Sequence, residues 1–404
     1  MGTEQHTTAG YTTADYTDFA HTGPGTLAGR YMRRFWQPIQ RAEDLPRGHT
    51  KPIRVMSEDF TLYRGEDGTP HLVANRCAHR GTQLSTGWVE GDCIRCFYHG
   101  WKYDGTGQCV EMPAEDPSFP PKVRIASYPT EEYLGLIFVY LGDAERGDTG
   151  ALRPPPLPRF PELEDETEGV REVYTYTWPC NYFQALENDP FHGDWVHRES
   201  YLASGRTGTP QAVSEETSYG YVTHVRRLTA TKWPEAHTHF HMPNASHATR
   251  TAPELGNEAW REALAWRVAV DDTHFRTFGV NMTHLAGEAR EKYVARQQAR
   301  QERVAALTPV PVLGEAVLRG EVRIEDLPEG RADSGWLFNI QDYVSQVGQG
   351  TIVDRTQERL GRTDGSVIML RKLWARELRA LAEGRPLKQW TRPVEALGVG
   401  RVSN

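Results

Sequence analysis

Hydrophobic and polar residues alternate in short runs along the first third of the chain. Runs such as IRVMSEDFTLYR and HLVANRC are separated by turn signals, including Asp67-Gly68 and Asp104-Gly105. Another β-rich apolar run, YLGLIFVYLG, is followed by the proline-rich segment ALRPPPLPRFPELEDE, which is typical of an extended linker. We therefore predict an all-β domain over residues 36–145.

Beyond about Gly169 the pattern mixes strands and helices. REVYTYTW and much of residues 211–285 alternate as the strands of a large antiparallel sheet would. Helical periodicity marks NYFQALENDPFHGDWVHRES, EAREKYVARQQARQERVAAL and GSVIMLRKLWARELRALAEG, and Gly384 follows the last as a stop signal. The predicted fold class is α+β: the β domain, then a larger domain over residues 146–404 made of a large antiparallel sheet flanked by helices.

The first 35 residues are predicted to be a tail and a helix that pack on the larger domain. Residues 1 to about 22 are polar and are expected to be poorly ordered. Gly23, Gly25 and Gly29 come close to a dinucleotide-binding fingerprint, but no strand precedes them and Pro24 lies inside. We therefore interpret GPGTLAGRYMRRFW as a turn that leads into a short helix.

Composition narrows the class of protein. The chain has 404 residues, enough for two or three domains, with 46 Lys and Arg against 54 Asp and Glu, a net charge of −8. This acidic balance argues against nucleic-acid binding. No apolar run approaches the roughly 18–20 residues of a membrane span, and the start of the chain lacks the features of a signal peptide. We expect a cytoplasmic protein without a membrane partner.

Four of the candidate metal ligands form one compact pattern. Cys77-x-His79 is followed after 16 residues by Cys96-x-x-His99, so two short loops each offer one thiolate and one imidazole. This donor set suits a tetrahedral zinc site or a [2Fe–2S] cluster with Cys₂ on one iron and His₂ on the other. The C-x-H spacing is too short for a zinc knuckle and closely resembles the Rieske motif, which favours the cluster.

Three cysteines remain out of an odd total of five. Cys93 lies three residues before Cys96 and is a conceivable competing ligand, but a free thiol in a hairpin is the favoured interpretation. Cys109 and Cys180 are expected to be structural.

A second pattern, Asp189-x-x-His192-x4-His197, indicates a mononuclear metal. On a helical wheel with Asp189 at 0°, the two imidazoles lie about 140° apart, so a local break, least costly at Gly193, is needed for both to reach one ion. Two imidazoles and one carboxylate form the facial triad of non-haem Fe(II) oxygenases. Our candidate carboxylate is Asp342, with Asp194 and Glu199 as alternatives.

Both centres in one chain indicate O₂ chemistry with stored electrons. The cluster would supply an electron to the mononuclear iron. The sequence has no convincing nicotinamide site and no second cluster motif. We therefore expect a separate reductase, which draws its electrons from NAD(P)H.

Taken together, these motifs resemble the α subunit of the Rieske non-haem iron aromatic ring-hydroxylating oxygenases, in particular the phthalate-dioxygenase-like group. The resemblance extends over nearly the whole chain, through the segments GPGTLAGRYMRRFWQPI, VANRCAHRGTQLSTGWVEGDCIRCFYHGWKYDGTGQCVEMPAE, CNYFQALEND and GQGTIVDRTQERLGRTDGSVIMLRKL. It implies iron ligation by His192, His197 and Asp342. It also implies that Asp189 bridges the cluster of a neighbouring subunit to the iron, within a head-to-tail homotrimer.

The chain departs from the group at one point. About two residues are missing between Glu187 and Asp189, and Pro190 favours an N-cap role for Asp189. The departure leaves the start of the iron helix, and any role of Asn181 or Asn188, open.

The resemblance implies a carboxylated aromatic substrate. Among the charged residues of the sheet region, Arg226, Arg250 and His241 are the candidates for binding a carboxylate. Monohydroxylation, dihydroxylation and O-demethylation use the same metals and stay open. A protein of a different class, a Rieske electron carrier without oxygenase activity, is disfavoured by the large second domain.

Overall fold

The structure of the chain is a computed structural model. It describes residues 15–142, 154–167, 169–188, 207–228, 235–251, 260–285, 287–327 and 334–393.

The N-terminal segment is ordered from Asp15 onward, which corrects the expectation of disorder for residues 15–22. Phe19 is buried and its ring stacks on Phe183 at 4.6 Å, so hydrophobic packing fixes a segment that its own polarity leaves undefined. Helix α1 (Leu27–Met32) begins at Thr26, whose Oγ1 accepts a hydrogen bond from the Gly29 amide at 3.0 Å. A Cβ at Gly29 would collide with the Gly23 carbonyl, so this glycine serves packing in a turn and helix, as predicted.

The first domain is all-β and consists of three small antiparallel sheets with strand orders β1-β11-β10, β2-β3-β4-β9 and β5-β6-β7-β8. Its strands are β1 Gln37–Arg41, β2 Thr50–Val55, β3 Glu58–Arg64, β4 Pro70–Ala74, β5 Trp88–Glu90, β6 Cys93–Arg95, β7 Lys102–Tyr103, β8 Cys109–Glu111, β9 Ser127–Tyr128, β10 Thr130–Tyr133 and β11 Leu136–Val139.

The run IRVMSEDFTLYR is a hairpin rather than one strand. Met56 and Ser57 form its turn with φ of 47° and 64°, a conformation usually left to glycine or asparagine. The Met56 and Ser57 amides donate to the carbonyls of Ala269 and Val270 at 2.8 and 3.0 Å. These bonds to the second domain hold the turn and join the two domains.

The second domain is built on a seven-stranded antiparallel sheet with the order β12-β18-β17-β16-β15-β14-β13. Its strands are β12 Gly169–Trp178, β13 Thr207–Glu216, β14 Gly220–Leu228, β15 Glu235–His241, β16 Ala245–Thr251, β17 Trp260–Asp271 and β18 His274–His284. The predicted α+β class, with a β domain before a large antiparallel sheet and helices, is confirmed.

Helices flank this sheet. They are α2 Tyr182–Asn188, α3 Gly287–Ala305, α4 Val310–Leu318, α5 Ser334–Val347 and α6 Gly365–Ala382. Helix α6 buries Trp374 and is followed by Gly384 at φ 68°, the predicted stop. Helices α4 and α5 are additional to the elements that periodicity predicts. None of the described helices has the length and apolar character needed to cross a membrane.

The two faces of the large sheet have different neighbours. On one, here called the β-domain face, the ring of Trp266 lies 5.4 Å from that of Phe138 in β11. On the other, the helix face, Trp178 and Phe275 form a cross-strand pair, and Trp178 lies 5.4 Å from Tyr343 in α5. Because side chains alternate along strands, every second residue of β17, from Arg261 to Ala269, belongs to the helix face.

Candidate metal centres and active site

The two loops with the Cys/His pattern have the same backbone construction. The Cys77 carbonyl accepts from the Gly81 amide at 2.9 Å, and the Cys96 carbonyl accepts from Gly100 at 3.0 Å. Both glycines have φ near +75°, which closes each loop without steric cost. The Cys77 and Cys96 amides in turn donate to the carbonyl five residues later in each loop. The sequence therefore forms two matched clips that present a thiol and an imidazole side by side.

The two cysteine side chains of these loops are buried, and the two histidine side chains are exposed to solvent. Cys77 and Cys96 are 3% and 2% exposed, whereas His79 and His99 are exposed and their rings lie 4.5 Å apart. The His79 ring also stacks on Trp101 at 4.6 Å with an interplanar angle of 9°, which fixes its orientation. This polarity is what a cluster with one buried Cys₂ iron and one outer His₂ iron requires.

The thiol side has a further hydrogen bond. The hydroxyl group of Tyr103 in β7 lies 3.2 Å from the Cys77 Sγ and also accepts from the Ala78 amide. Burial raises the pKa of the Cys77 thiol, so its thiolate form needs a nearby cation. Partial desolvation, with His79 and Arg80 nearby, lowers the pKa of His99 and favours the neutral imidazole that ligates metal.

These residues fit a [2Fe–2S] cluster better than a single ion. The four side chains form two pairs, the buried thiols of Cys77 and Cys96 and the exposed imidazoles of His79 and His99. A two-iron cluster needs only two protein ligands for each iron. Cys93, Cys109 and Cys180 are free thiols outside the two loops.

Asp342 lies in α5, on the helix that faces the sheet, and its Oδ1 is shielded from solvent. Helix α2, which ends at Asn188 directly before Asp189, is fixed to the end of α5 by Gln184. The Gln184 Nε2 donates to the Gln346 and Gly350 carbonyls at 2.8 and 2.9 Å. The fold thus brings the segment that leads into the predicted iron histidines next to the helix that carries the predicted iron carboxylate.

Two further contacts hold α2. Glu187 is paired with Arg355 at 2.9 Å and with Arg371 of α6 at 2.6 Å, and its side chain is only 10% exposed. Asn181 is fully buried, and its amide donates to the Ala20 and Asp272 carbonyls. Its Oδ1 accepts from the Phe183 amide at the start of α2. Asn181, whose role the shortened motif left open, therefore has a structural role: it holds the start of α2 in place.

The other residues of the predicted iron centre, Asp189, His192 and His197, lie outside the described residues, and so do the alternatives Asp194 and Glu199. The same is true of the side chains of Arg226 and Arg250.

His241 is described, and it lies on the β-domain face of the sheet. Its ring is buried against Phe160, at 5.2 Å, and Tyr219, at 4.8 Å. Burial lowers its pKa well below the usual value, so the imidazole is neutral. The structure places it on the opposite face of the sheet from Asp342 and does not bring the two together.

His241 belongs to a group of buried polar residues that sequence analysis treated singly. His239 lies two residues away on the same face, and its Nδ1 is 2.7 Å from the Tyr219 hydroxyl group. His247 is completely buried, and its Nε2 lies 2.8 Å from a Glu262 carboxylate oxygen. The alternation THFH in β15 was the available signal, since residues two apart share one face of a strand.

Tyr103 and Gln184 are the residues near the two centres that sequence analysis missed. KYDGTG signals a turn but not a contact with a cysteine 26 residues earlier. Gln184 is an ordinary polar residue of a predicted helix until its carbonyl partners, more than 160 residues away, are known.

Comparison with known proteins agrees with this geometry. Residues 35–129 match the family model of the Rieske [2Fe-2S] domain. The chain is 31% identical to the 5,5'-dehydrodivanillate O-demethylase oxygenase subunit of Sphingobium sp., over 91% of this chain and 81% of that protein. It is 28% identical to the phthalate 4,5-dioxygenase oxygenase subunit of Pseudomonas putida, over 88% of this chain and 83% of that protein.

A solved structure has the same fold. The oxygenase of carbazole 1,9a-dioxygenase, in its reduced complex with ferredoxin, superimposes with a TM-score of 0.59 at 18% identity, covering 92% of this chain and 95% of that one. The cluster motif, the paired helices and these relatives lead to one conclusion. The chain belongs to the Rieske non-haem iron aromatic oxygenases, as an oxygenase subunit that uses a [2Fe–2S] cluster, a mononuclear iron and electrons supplied by a reductase.

Proposed function

We propose that this enzyme hydroxylates a carboxylated aromatic compound, by mono- or dihydroxylation. The observation that supports the proposal is the hydrogen bonding of Gln184 in α2 to the Gln346 and Gly350 carbonyls at the end of α5, because α5 carries Asp342 and α2 leads in sequence to Asp189, His192 and His197. We assign the cluster to Cys77, His79, Cys96 and His99, and the mononuclear iron to His192, His197 and Asp342. When bound, the iron activates O₂ with electrons from the cluster.

The chain's own residues position this chemistry. Gln184 and Glu187 fix α2, and Tyr103 hydrogen-bonds the sulfur side of the cluster site. The His79 and His99 edges face outward, which suits a cluster that exchanges electrons with other proteins. We propose a head-to-tail homotrimer in which Asp189 links the cluster site of one subunit to the iron site of the next. The boundaries proposed for the two domains are 36–145 and 146–404.

Two relatives support the substrate class. One is named for phthalate and the other for 5,5'-dehydrodivanillate, and both compounds are aromatic acids. The second relative is an O-demethylase, so removal of a methyl group from an aromatic ether is the alternative reaction. The ferredoxin complex of the carbazole oxygenase supports a separate electron-transfer protein as partner. A cytoplasmic location fits a supply of electrons from NAD(P)H.

The test is a screen of aromatic acids with NADH and a generic reductase, with products identified by mass. One added hydroxyl, two added hydroxyls, or release of formaldehyde distinguishes the three reactions. Absence of any oxidised product, from a preparation whose cluster is reducible and which holds about three irons per chain, would contradict the proposal.

Iron content separates the oxygenase from a Rieske electron carrier. We expect His192→Ala to lower the iron from about three to about two per chain and to abolish turnover. A wild-type content of about two irons, unchanged in His192→Ala, would support the carrier.

Asp189 provides the test of the inter-subunit link. Asp189→Ala should keep a reducible cluster and the trimer but lose turnover, since electrons would no longer reach the iron. Normal product formation in this variant would contradict the bridging role.

A further inference from the structure

The helix face of the large sheet carries the guanidinium of Arg261, which has no role in the assignments above. Arg261 lies near the start of β17 and has Thr283 of β18 and Arg250 of β16 as its cross-strand partners. Residues paired across antiparallel strands belong to the same face. Positions 250, 261 and 283 therefore form one row on the helix face.

The Arg261 guanidinium is held by hydroxyl groups. Its Nε donates to the Thr283 Oγ1 at 3.0 Å and its Nη2 to the Tyr293 hydroxyl group of α3 at 3.3 Å. Thr283 also donates to Tyr293, which donates to a Glu172 carboxylate oxygen at 2.6 Å. Hydrogen bonds on one edge thus fix the plane of the guanidinium.

The charge of Arg261 lacks a direct counter-ion in the described part of the chain. Within those residues, the guanidinium forms no ion pair within 4.0 Å, and Glu172 reaches it only through the Tyr293 hydroxyl group. The guanidinium is half-buried and can bind an anion through its remaining N–H donors.

The positions next to Arg261 on the helix face carry small residues. Moving along the helix face of β17 toward α2, the next positions are Ala263 and Ala265, and Ala248 of β16 pairs with Ala263. Ala263 and Ala248 are partly exposed despite their central place in the sheet. Arg261 lies about 13 Å from Ala265 along the strand, at roughly 3.3 Å per residue. An extended aromatic molecule lying along this row can reach from Arg261 toward the α2–α5 side.

We propose that Arg261 binds the anionic group of the substrate, a carboxylate, at the end of the helix face remote from α2. This inference rests on the proposed oxygenase function and names the group that selects its substrates. The Nε edge of the guanidinium is occupied by hydroxyl groups, and its Nη1 end is left for charge-assisted hydrogen bonds to a carboxylate. Lysine, which has no fork of donors, cannot reproduce this geometry.

The experiment compares three acids with their methyl esters: phthalate, 3-phenoxybenzoate and 4-methoxybenzoate. Binding is measured by calorimetry on the holoenzyme, and kcat and KM are measured for each oxidised compound. Wild type should prefer at least one acid to its ester. Arg261→Gln should weaken binding and raise KM for that acid about 30-fold, as expected for lost charge-assisted bonds, and leave its kcat and the ester KM within about 2-fold.

Two variants control the result. Arg290→Gln removes another arginine at this end of the sheet, one that donates to the Gly169 carbonyl at 3.3 Å, and should behave as wild type. Arg261→Lys keeps the positive charge and should weaken acid binding about 5-fold, an effect between those of wild type and Arg261→Gln. If Arg261→Gln is unstable, Arg261→Lys provides the test in its place.

The outcomes separate the two proposals. Unchanged acid binding in Arg261→Gln, an equal loss for acid and ester, or no acid preference in wild type would overturn the role of Arg261 while oxygenase activity stands. Absence of oxidation by the wild-type holoenzyme would overturn the proposed function, and calorimetry would still decide the role of Arg261.

Discussion

The two regions that bind metal are assembled at very different distances along the chain. The proposed cluster ligands lie within 23 residues, from Cys77 to His99, and each loop is closed by its own backbone hydrogen bonds. The proposed mononuclear site combines Asp342 with residues that follow α2 in the sequence, and long-range contacts such as that of Gln184 with the Gln346 carbonyl hold α2 against α5. A centre of the first kind depends on local geometry, and a centre of the second kind depends on the packing of a whole domain.

The largest expected effect is confined to the second region, the proposed mononuclear iron site. Asp342→Ala should lose the mononuclear iron and lower turnover about 100-fold or more, because a ligand is removed, while the cluster stays reducible. Iron per chain and the spectrum of the reduced cluster are the measurements. Asp326→Ala, at an exposed carboxylate, is the control. Full iron in Asp342→Ala would mean that another carboxylate completes the site.

The next prediction tests whether the packing of α2 against α5 is needed to form the proposed mononuclear iron site. Gln184→Ala leaves the Gln346 and Gly350 carbonyls and the Val353 amide without their partner. We expect a loss of about 2–4 kcal/mol in the free energy of unfolding, with weaker retention of the mononuclear iron. Urea denaturation and iron content measure both effects. Gln349→Ala, at an exposed glutamine, should change neither, and equal loss of cluster iron in Gln184→Ala would contradict the separation of the regions.

The third prediction concerns the buried imidazoles of the β-domain face. Burial, together with neighbouring groups that include His247 and Arg392, lowers the pKa of His239 to about 3. The unfolded chain takes up this proton below about pH 6.5, whereas the folded chain does not. Stability is therefore full above pH 6.5 and falls as the pH decreases, by about 1.4 kcal/mol per pH unit for this residue.

The slope can be measured from urea midpoints between pH 7 and 5. His239→Gln should reduce the dependence of the free energy of unfolding on pH by the contribution of one histidine. His49→Gln, at an exposed site, should leave this dependence unchanged. An unaltered slope in His239→Gln would show that His239 is protonated in the folded protein.

The smallest expected effect sharpens the description of the first region. Tyr103→Phe removes the hydroxyl group 3.2 Å from the Cys77 Sγ, a hydrogen bond that favours the more negative, reduced cluster. We expect a reduction potential lower by about 30–60 mV, equivalent to one modest hydrogen bond in a one-electron couple. Redox titration checks this. Tyr63→Phe, which loses a bond to the Asp92 carbonyl, is the control, and an equal shift there would contradict a specific effect.

The same contrast explains what the sequence could predict. The spacing of Cys77, His79, Cys96 and His99 predicts the cluster because these residues lie close in sequence, and the Rieske domain match confirms it. Alternation predicts the large sheet because each strand has one face toward helices and one toward the β domain. The segment from Asp15 to Phe19 could not be predicted, since its order comes from Phe183 and Trp374, far along the chain.

Helix α4 is a second example of a tertiary effect. Gly314 lowers the local helix propensity of this short segment, whereas Pro309 and Pro311 lie at the N-cap and in the first turn, where proline is tolerated. Yet a Cβ at Gly314 would collide with the Tyr343 ring, so the glycine allows α4 to approach α5 closely. Here the packing of α4 against α5 outweighs local helix propensity. Asp342 lies on the same helix α5, whose position also depends on contacts between residues far apart in sequence.

The Met56–Ser57 turn has a mechanical consequence. Its two amides bond to Ala269 and Val270, and Arg33 behind it, 2% exposed, bonds to the Met56 carbonyl and pairs with Glu58. These contacts hold the two domains in a fixed relative position at this turn. If the chain forms the proposed homotrimer, we expect the distance between cluster and iron to be set by the assembly of the subunits and not by movement of the β domain within one subunit.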